Sequence, residues 1–144
     1  MKNFLSLLLP LMLLFVSCKK NEATGASVTA DKIQLDNAVV VSKGNLVFAA
    51  GSNETGVAKI YLQNDGRYVV ALEDIEYKTI FDLGVYLSTT PVYASGASLK
   101  LYSAKNFDNN IYYLLPAGVH ATAYKYIVIQ KPAASDPIAI ASLQ

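Results

Sequence analysis

A predicted β-hairpin followed by a further strand is the feature that most constrains this chain. Residues 57–63 and 67–72 are rich in β-branched and aromatic side chains, and an Asn-Asp-Gly turn stands between them at 64–66. Asn, Asp and Gly tolerate the positive φ angles of tight hairpins, so turn chemistry and strand propensity agree. Residues 84–88 continue the pattern. Three adjacent strands with one apolar face predict a sheet.

Short apolar runs of the same kind recur along the rest of the chain, and no segment has a helical period. We therefore predict one all-β domain, an antiparallel β-sandwich or barrel-like domain of eight or nine short strands. The further predicted strands are residues 33–41, 46–50, 98–102, 111–115, 124–130 and 137–143. The predicted breaks are turns at 42–45 and 105–110 and a solvated acidic loop at 73–82.

The first residues of the chain predict that the protein is exported. Lys2 precedes an apolar stretch at 4–16, which is shorter than the roughly 20 residues of a membrane-spanning helix, so residues 1–17 are predicted to be a signal peptide. Residues 14–18, Leu-Phe-Val-Ser-Cys, resemble a bacterial lipobox, and Cys18 is the single cysteine of the chain. We predict that Cys18 is lipidated and anchors the chain in the membrane. An ordinary secretory signal is the alternative.

The resulting domain plan has three parts. Residues 1–17 are the lipoprotein signal peptide, residues 18–30 are the lipidated Cys and a flexible polar tether, and residues 31–144 are the β domain. The predicted location is the bacterial cell envelope, facing the periplasm or the cell surface. Without Lys2, 11 basic residues face 11 acidic ones, since the full chain has 12 and 11, so no basic surface for nucleic acid is predicted. Lipidation of Cys18 also excludes thiol chemistry.

No catalytic constellation is evident. His120 is the only histidine, and neither Ser88 nor Ser95 lies in a G-x-S-x-G elbow, so a triad has no support and the chain is not predicted to be an enzyme. His120 is predicted to lie on an exposed connection, although a lone histidine can also bind haem.

Two residue groups are candidate binding sites. Glu73, Asp74 and Asp82 belong to an acidic segment that either binds a cation or forms a solvated loop. Tyr124 and Tyr126 share a face if the strand alternates, so they form either a platform for a protein or glycan partner, with His120 nearby, or part of the strand packing.

Several of these segments resemble the DM-thirteen domain family. The matching segments are Gly56-Val-Ala-Lys-Ile60, Asp65-Gly66, Leu72-Glu-Asp-Ile75, Asp82-Leu-Gly-Val-Tyr-Leu-Ser88, Asn110-Ile-Tyr-Tyr-Leu-Leu-Pro116 and Tyr124-Lys-Tyr-Ile-Val-Ile129. The resemblance covers residues 46–143 and implies an all-β, extracytoplasmic domain, as in bacterial lipoproteins and beside haem-binding DOMON domains, with a role in electron transfer. The family's suspected redox cysteine has no counterpart, because residues 129–131 are Ile-Gln-Lys.

The leading hypothesis is thus a lipid-anchored envelope protein that binds a protein or glycan partner through end loops or tyrosines. The alternative is an extracytoplasmic electron-transfer domain, which would need a bound cofactor such as haem because no thiol is available.

Overall fold

The computed structural model describes residues 32–144, apart from the side chain of Asn106. In this part of the chain, six strands form one antiparallel sheet, so the all-β class is confirmed. The elements are β1 (Val39–Phe48), β2 (Val57–Leu62), β3 (Tyr68–Ser88), β4 (Ser98–Leu114), a 3₁₀ turn (Ala121–Ala123), β5 (Tyr126–Gln130) and β6 (Pro137–Ser142).

The predicted signal peptide, Cys18 and the tether at 18–30 lie outside the described residues. No helix within residues 32–144 is long and apolar enough to cross a membrane.

The strand pairings form a closed circuit. β2 pairs with β1, β1 with β6, β6 with β5, and β5 with the end of β3, while the start of β3 pairs back with β2. One edge of β3 therefore meets two different strands, β2 along Tyr68–Glu73 and β5 along Gly84–Ser88. β4 pairs with β3 from Val69 to Ser88 and lies at the edge of the sheet.

The strands are fewer and longer than predicted, since β3 has 21 residues and β4 has 17. The turns predicted at 42–45 and 105–110 and the loop predicted at 73–82 are wrong, because each segment lies inside a strand. Their turn-type residues produce irregularities instead: Asp74 and Asn109 have φ angles of 52° and 61° where the β3–β4 register shifts. Residues that tolerate positive φ occur both in β-bulges and in turns. Here they form bulges because the strand continues to pair with its partner.

The hairpin turn at 64–66 is confirmed. Gly66 has a φ of 81°, and the backbone N–H of Gln63 donates to the carbonyl oxygen of Arg67 at 2.9 Å. The Asp65 carboxylate accepts from the Arg67 backbone at 3.0 Å and from its guanidinium at 2.7 Å. These bonds hold the pKa of Asp65 below its ordinary value.

The interior of the circuit is filled by inward-facing apolar side chains of all six strands. The largest fully buried ones include Ile60, Leu72, Val85, Leu87, Phe107, Ile127 and Ile129. Burying each such side chain stabilises the fold by roughly 1.5–3 kcal/mol.

The antiparallel circuit gives the domain two ends. The near end holds the start of the described chain, the turn at 64–66 and residues 115–125, and the Gln34 N–H donates to Gln63 Oε1 there at 2.8 Å. The far end holds the β1–β2 loop at 49–56, the β5–β6 loop at 131–136 and the middle of β3.

Candidate functional site

The far end contains a cleft where the circuit of strands is incomplete. Between Glu73 and Gly84, β3 pairs with β4 alone, so β2 and β5 leave part of its other edge without a strand. The loop at 49–56 and Lys131 face this opening and line an open cleft of about 520 Å³. Openings of this kind in β domains are common places for ligands.

An aromatic pair forms the apolar wall of the cleft. Phe48 is the last residue of β1 and Tyr77 lies in the middle of β3, and both pack partly against the core. Their rings stack with centroids 5.6 Å apart and an interplanar angle of 27°. Ile138 of β6 completes this wall. Because the core holds one side of the pair, the wall is preformed and apolar.

The rim of the cleft is polar and carries both charges. Ser52, Asn53 and Glu54 line one side, and Lys131 lines the other. The Lys131 ammonium lies 4.3 Å from the centroid of the Phe81 ring, a cation–π contact. The cleft therefore offers an aromatic surface beside an amide, a hydroxyl, a carboxylate and an ammonium group.

A second groove of about 610 Å³ adjoins the cleft and shares Asn53 and Glu54 with it. Its other wall is formed by the exposed side chains of Asp74, Glu76 and Lys78 on β3. Glu76 and Lys78 form an exposed ion pair at 3.6 Å, which has little effect on stability.

The three acidic residues predicted as a cation site have separate surroundings. The Glu73 carboxylate accepts from the Lys59 ammonium and, at 2.7 Å, from the Tyr61 hydroxyl. Asp74 is exposed, and its backbone N–H donates to Asn110 Oδ1 at 3.0 Å. Asp82 is exposed on β3. Within residues 32–144, no three His, Cys, Asp or Glu side chains are grouped closely enough to hold a metal ion.

The Glu73 contacts are structural. Burial alone would raise the pKa of the Glu73 carboxyl, but the hydrogen bonds from Lys59 and Tyr61 together lower it below its ordinary value. The same carboxylate raises the pKa of Lys59. The ion pair therefore ties β2 to β3 and leaves Glu73 charged at neutral pH.

Tyr124 and Tyr126 lie at the near end, away from the cleft. Tyr124 precedes β5 and packs partly against the core, whereas Tyr126 is the first residue of β5 and is half-buried. His120 is exposed immediately before the 3₁₀ turn, and its side chain does not cap that turn. The neighbouring Gly118 and Thr122 are also exposed, so this connection lies at the surface of the domain.

Phe48, Tyr77 and Lys131 were not predicted as site residues. Phe48 directly precedes the Gly- and Asn-containing loop at 49–56, and this position at a strand end is the one local signal that could have indicated it. Tyr77 and Lys131 carry no such signal, because their proximity depends on how β3 bends.

No protein-family model, curated protein or solved structure matches this chain. The fold and the site by themselves define the class of the described part of the chain: an all-β antiparallel domain with an aromatic-walled cleft at its far end.

Proposed function

We propose that this chain is a lipid-anchored protein of the bacterial cell envelope, related to DM-thirteen domains, whose β domain binds a glycan in the far-end cleft. The cleft carries the proposal. A sugar ring has an apolar face and polar edges, and the Phe48–Tyr77 wall beside Asn53, Glu54 and Lys131 provides the complementary surfaces. The closed circuit of pairings favours the barrel-like description of the fold over the sandwich.

The orientation of the domain fits an envelope-binding role. The described chain begins at the near end, and 13 residues lie between Cys18 and Lys32, a span of at most about 50 Å. A lipid on Cys18 would attach the chain on the near-end side of the domain. The far-end cleft would then lie on the side away from the attachment point, where polymers of the envelope can reach it.

A glycan array with the full chain tests the ligand, using bacterial polysaccharides and peptidoglycan fragments as probes. We expect one class of saccharide to bind. Lys131→Ala and Tyr77→Ala are expected to weaken that binding at least tenfold, because the first removes the ammonium group of the rim and the second removes half of the stacked aromatic pair. Tyr126→Ala is the matched control and should bind as the wild type does, since Tyr126 lies at the near end.

The array can also contradict the proposal. A folded wild-type chain that binds no saccharide, or equal losses in Tyr77→Ala and Tyr126→Ala, would exclude the cleft as a glycan site. Lys131 is exposed, so Lys131→Ala keeps the test independent of any effect of Tyr77 on folding.

Labelling of cells with a radioactive fatty acid tests the anchor. The wild-type chain should incorporate the label, and Cys18→Ala should incorporate none. Equal label in both chains would show that Cys18 is not the lipidated residue.

A visible absorption spectrum and a metal analysis of the full chain test the alternative electron-transfer function. We expect a colourless, metal-free protein. A haem or flavin band, or stoichiometric iron or copper, would instead support electron transfer.

A further inference from the structure

Within residues 32–144, no strand pairs with the outer edge of β4, because β4 pairs with β3 on one side only. Proteins protect such edges with charges and bulges. Lys100 and Lys105 are exposed in the first part of β4, and Asn109 introduces a bulge with its φ of 61°. Residues 110–114, Asn-Ile-Tyr-Tyr-Leu, have no charge, no proline and a regular register with β3 from Ile111 onwards.

The backbone groups on this part of the edge can be assigned from one hydrogen bond. The Leu115 N–H donates to the Tyr68 carbonyl oxygen at 2.8 Å, so residue 115 faces β3. Alternate residues of an antiparallel strand point their N–H and C=O groups to opposite sides. Ile111 and Tyr113 therefore also face β3, whereas Tyr112 and Leu114 direct theirs outwards. Nothing in the described part of the chain pairs with those outward groups through its backbone.

We propose that two copies of this chain associate through residues 110–114, which pair antiparallel with Tyr112 opposite Tyr112 of the second copy. Residues directly opposite in an antiparallel pair point to the same face of the sheet. If both cores are to lie on the same side of the combined sheet, the residue at the two-fold axis must therefore be opposite its own counterpart in the second copy. It cannot be opposite the neighbouring residue in sequence. Tyr112 is such a centre with outward N–H and C=O groups, and Tyr113 is excluded because its own groups face β3.

This register suits a second copy. Tyr112 forms a cross-strand aromatic pair with itself, and Asn110 lies opposite Leu114. No charges meet, whereas a partner strand placed along Lys100 and Lys105 would meet both ammonium groups. The contact is short, so the dimer is expected to be weak, and two copies held on one membrane would form it more readily.

Cysteine cross-linking of the full chain in its expressing cells tests the register. The Cα atoms of a hydrogen-bonded antiparallel pair are about 5.5 Å apart, within the range that a disulfide spans. Under mild oxidation, Tyr112→Cys is expected to give a disulfide-linked dimer on a non-reducing gel. Leu114→Cys is the matched control and should stay monomeric, because the two Leu114 positions would be roughly 13 Å apart along the strands.

A second combination protects the test against a folding defect in Tyr112→Cys. Co-expressed Asn110→Cys and Leu114→Cys chains should form a mixed dimer, since these positions are opposite each other in the proposed register. The wild-type chain measures the background from Cys18. Equal dimer yields from Tyr112→Cys and Leu114→Cys, or monomers in every case, would overturn the proposal. A cross-linked band of another mass would also overturn the proposal, and it would indicate a different partner protein.

Discussion

Tyr102 and Tyr113 belong to the same strand, yet their rings stack with centroids 6.0 Å apart. Eleven positions separate them, which would be about 36 Å in a straight strand. β4 therefore folds back across the core, and β3, which pairs with it, bends as well. This bend carries the middle of β3 across the far end between β2 and β5, where the cleft lies.

We expect Tyr102→Phe to raise the free energy of unfolding. The Tyr102 hydroxyl is buried, and it has no hydrogen-bond partner among the described residues. The same burial raises the pKa of this phenol. A buried unsatisfied polar group costs about 1–3 kcal/mol, so its removal should stabilise the protein by about 1 kcal/mol in urea denaturation.

Tyr61→Phe is the comparison for this experiment. It removes the hydroxyl that donates to Glu73 and should lower the free energy of unfolding by about 1 kcal/mol. Equal destabilisation by both variants would show that the Tyr102 hydroxyl has a partner.

Two isoleucines in the middle of β3 should contribute very differently to the free energy of unfolding. Ile75 is 1% exposed and belongs to the core, whereas Ile80 is 83% exposed beside Phe81. Ile75→Ala should lower the free energy of unfolding by about 2–5 kcal/mol, and Ile80→Ala should change it by less than about 0.5 kcal/mol. Thermal or urea denaturation measures both. Similar small effects would mean that this segment is the solvated loop that the sequence predicts.

The Glu73 ion pair should make stability depend on acid pH. Because the folded state lowers the pKa of Glu73, this residue contributes stability above its unfolded pKa of about 4.3, and the contribution is lost as pH falls through the folded pKa. Glu73→Gln should therefore be about 1–2 kcal/mol less stable than wild type at pH 7, with the difference shrinking below pH ~4.

Glu76→Gln is the control for that series, since its ion pair with Lys78 is exposed. We expect it to follow the wild-type stability at every pH within about 0.5 kcal/mol. A Glu73→Gln difference that stays constant from pH 7 to pH 3 would contradict the linkage.

Gly44→Ala should destabilise the domain by about 2–3 kcal/mol. A Cβ at residue 44 would overlap the backbone carbonyl group of Ser142, which cannot rotate away as a side chain could. Asn45→Ala is the neighbouring control, and it should change stability by less than about 0.5 kcal/mol because Asn45 is exposed. Urea denaturation of the two variants measures this difference. Equal midpoints would show that residue 44 does not lie close to the Ser142 carbonyl group.

Local patterns were reliable where neighbours in sequence supply the physics. The turn at 64–66 was predicted correctly because Asp65 and Gly66 carry its hydrogen bond and its positive φ themselves. Asp74 and Asn109 have turn signals that are equally clear. They form bulges instead, because β3 and β4 continue to pair with each other on both sides of these residues. The strand predicted at 124–130 begins at Tyr126, and Tyr124 lies in the extended segment before it.

The sequence alone determined the all-β class and the central hairpin, because strand propensity, turn chemistry and apolar alternation act over a few residues. Only the tertiary structure decided that β3 and β4 are long, bent strands and that the pairings close into a circuit. The cleft depends on that closure: Phe48, Tyr77 and Lys131 are far apart in sequence and meet because β3 pairs with β2 at one end and with β5 at the other. Contacts between distant strands arise from packing the whole chain, which no local pattern encodes.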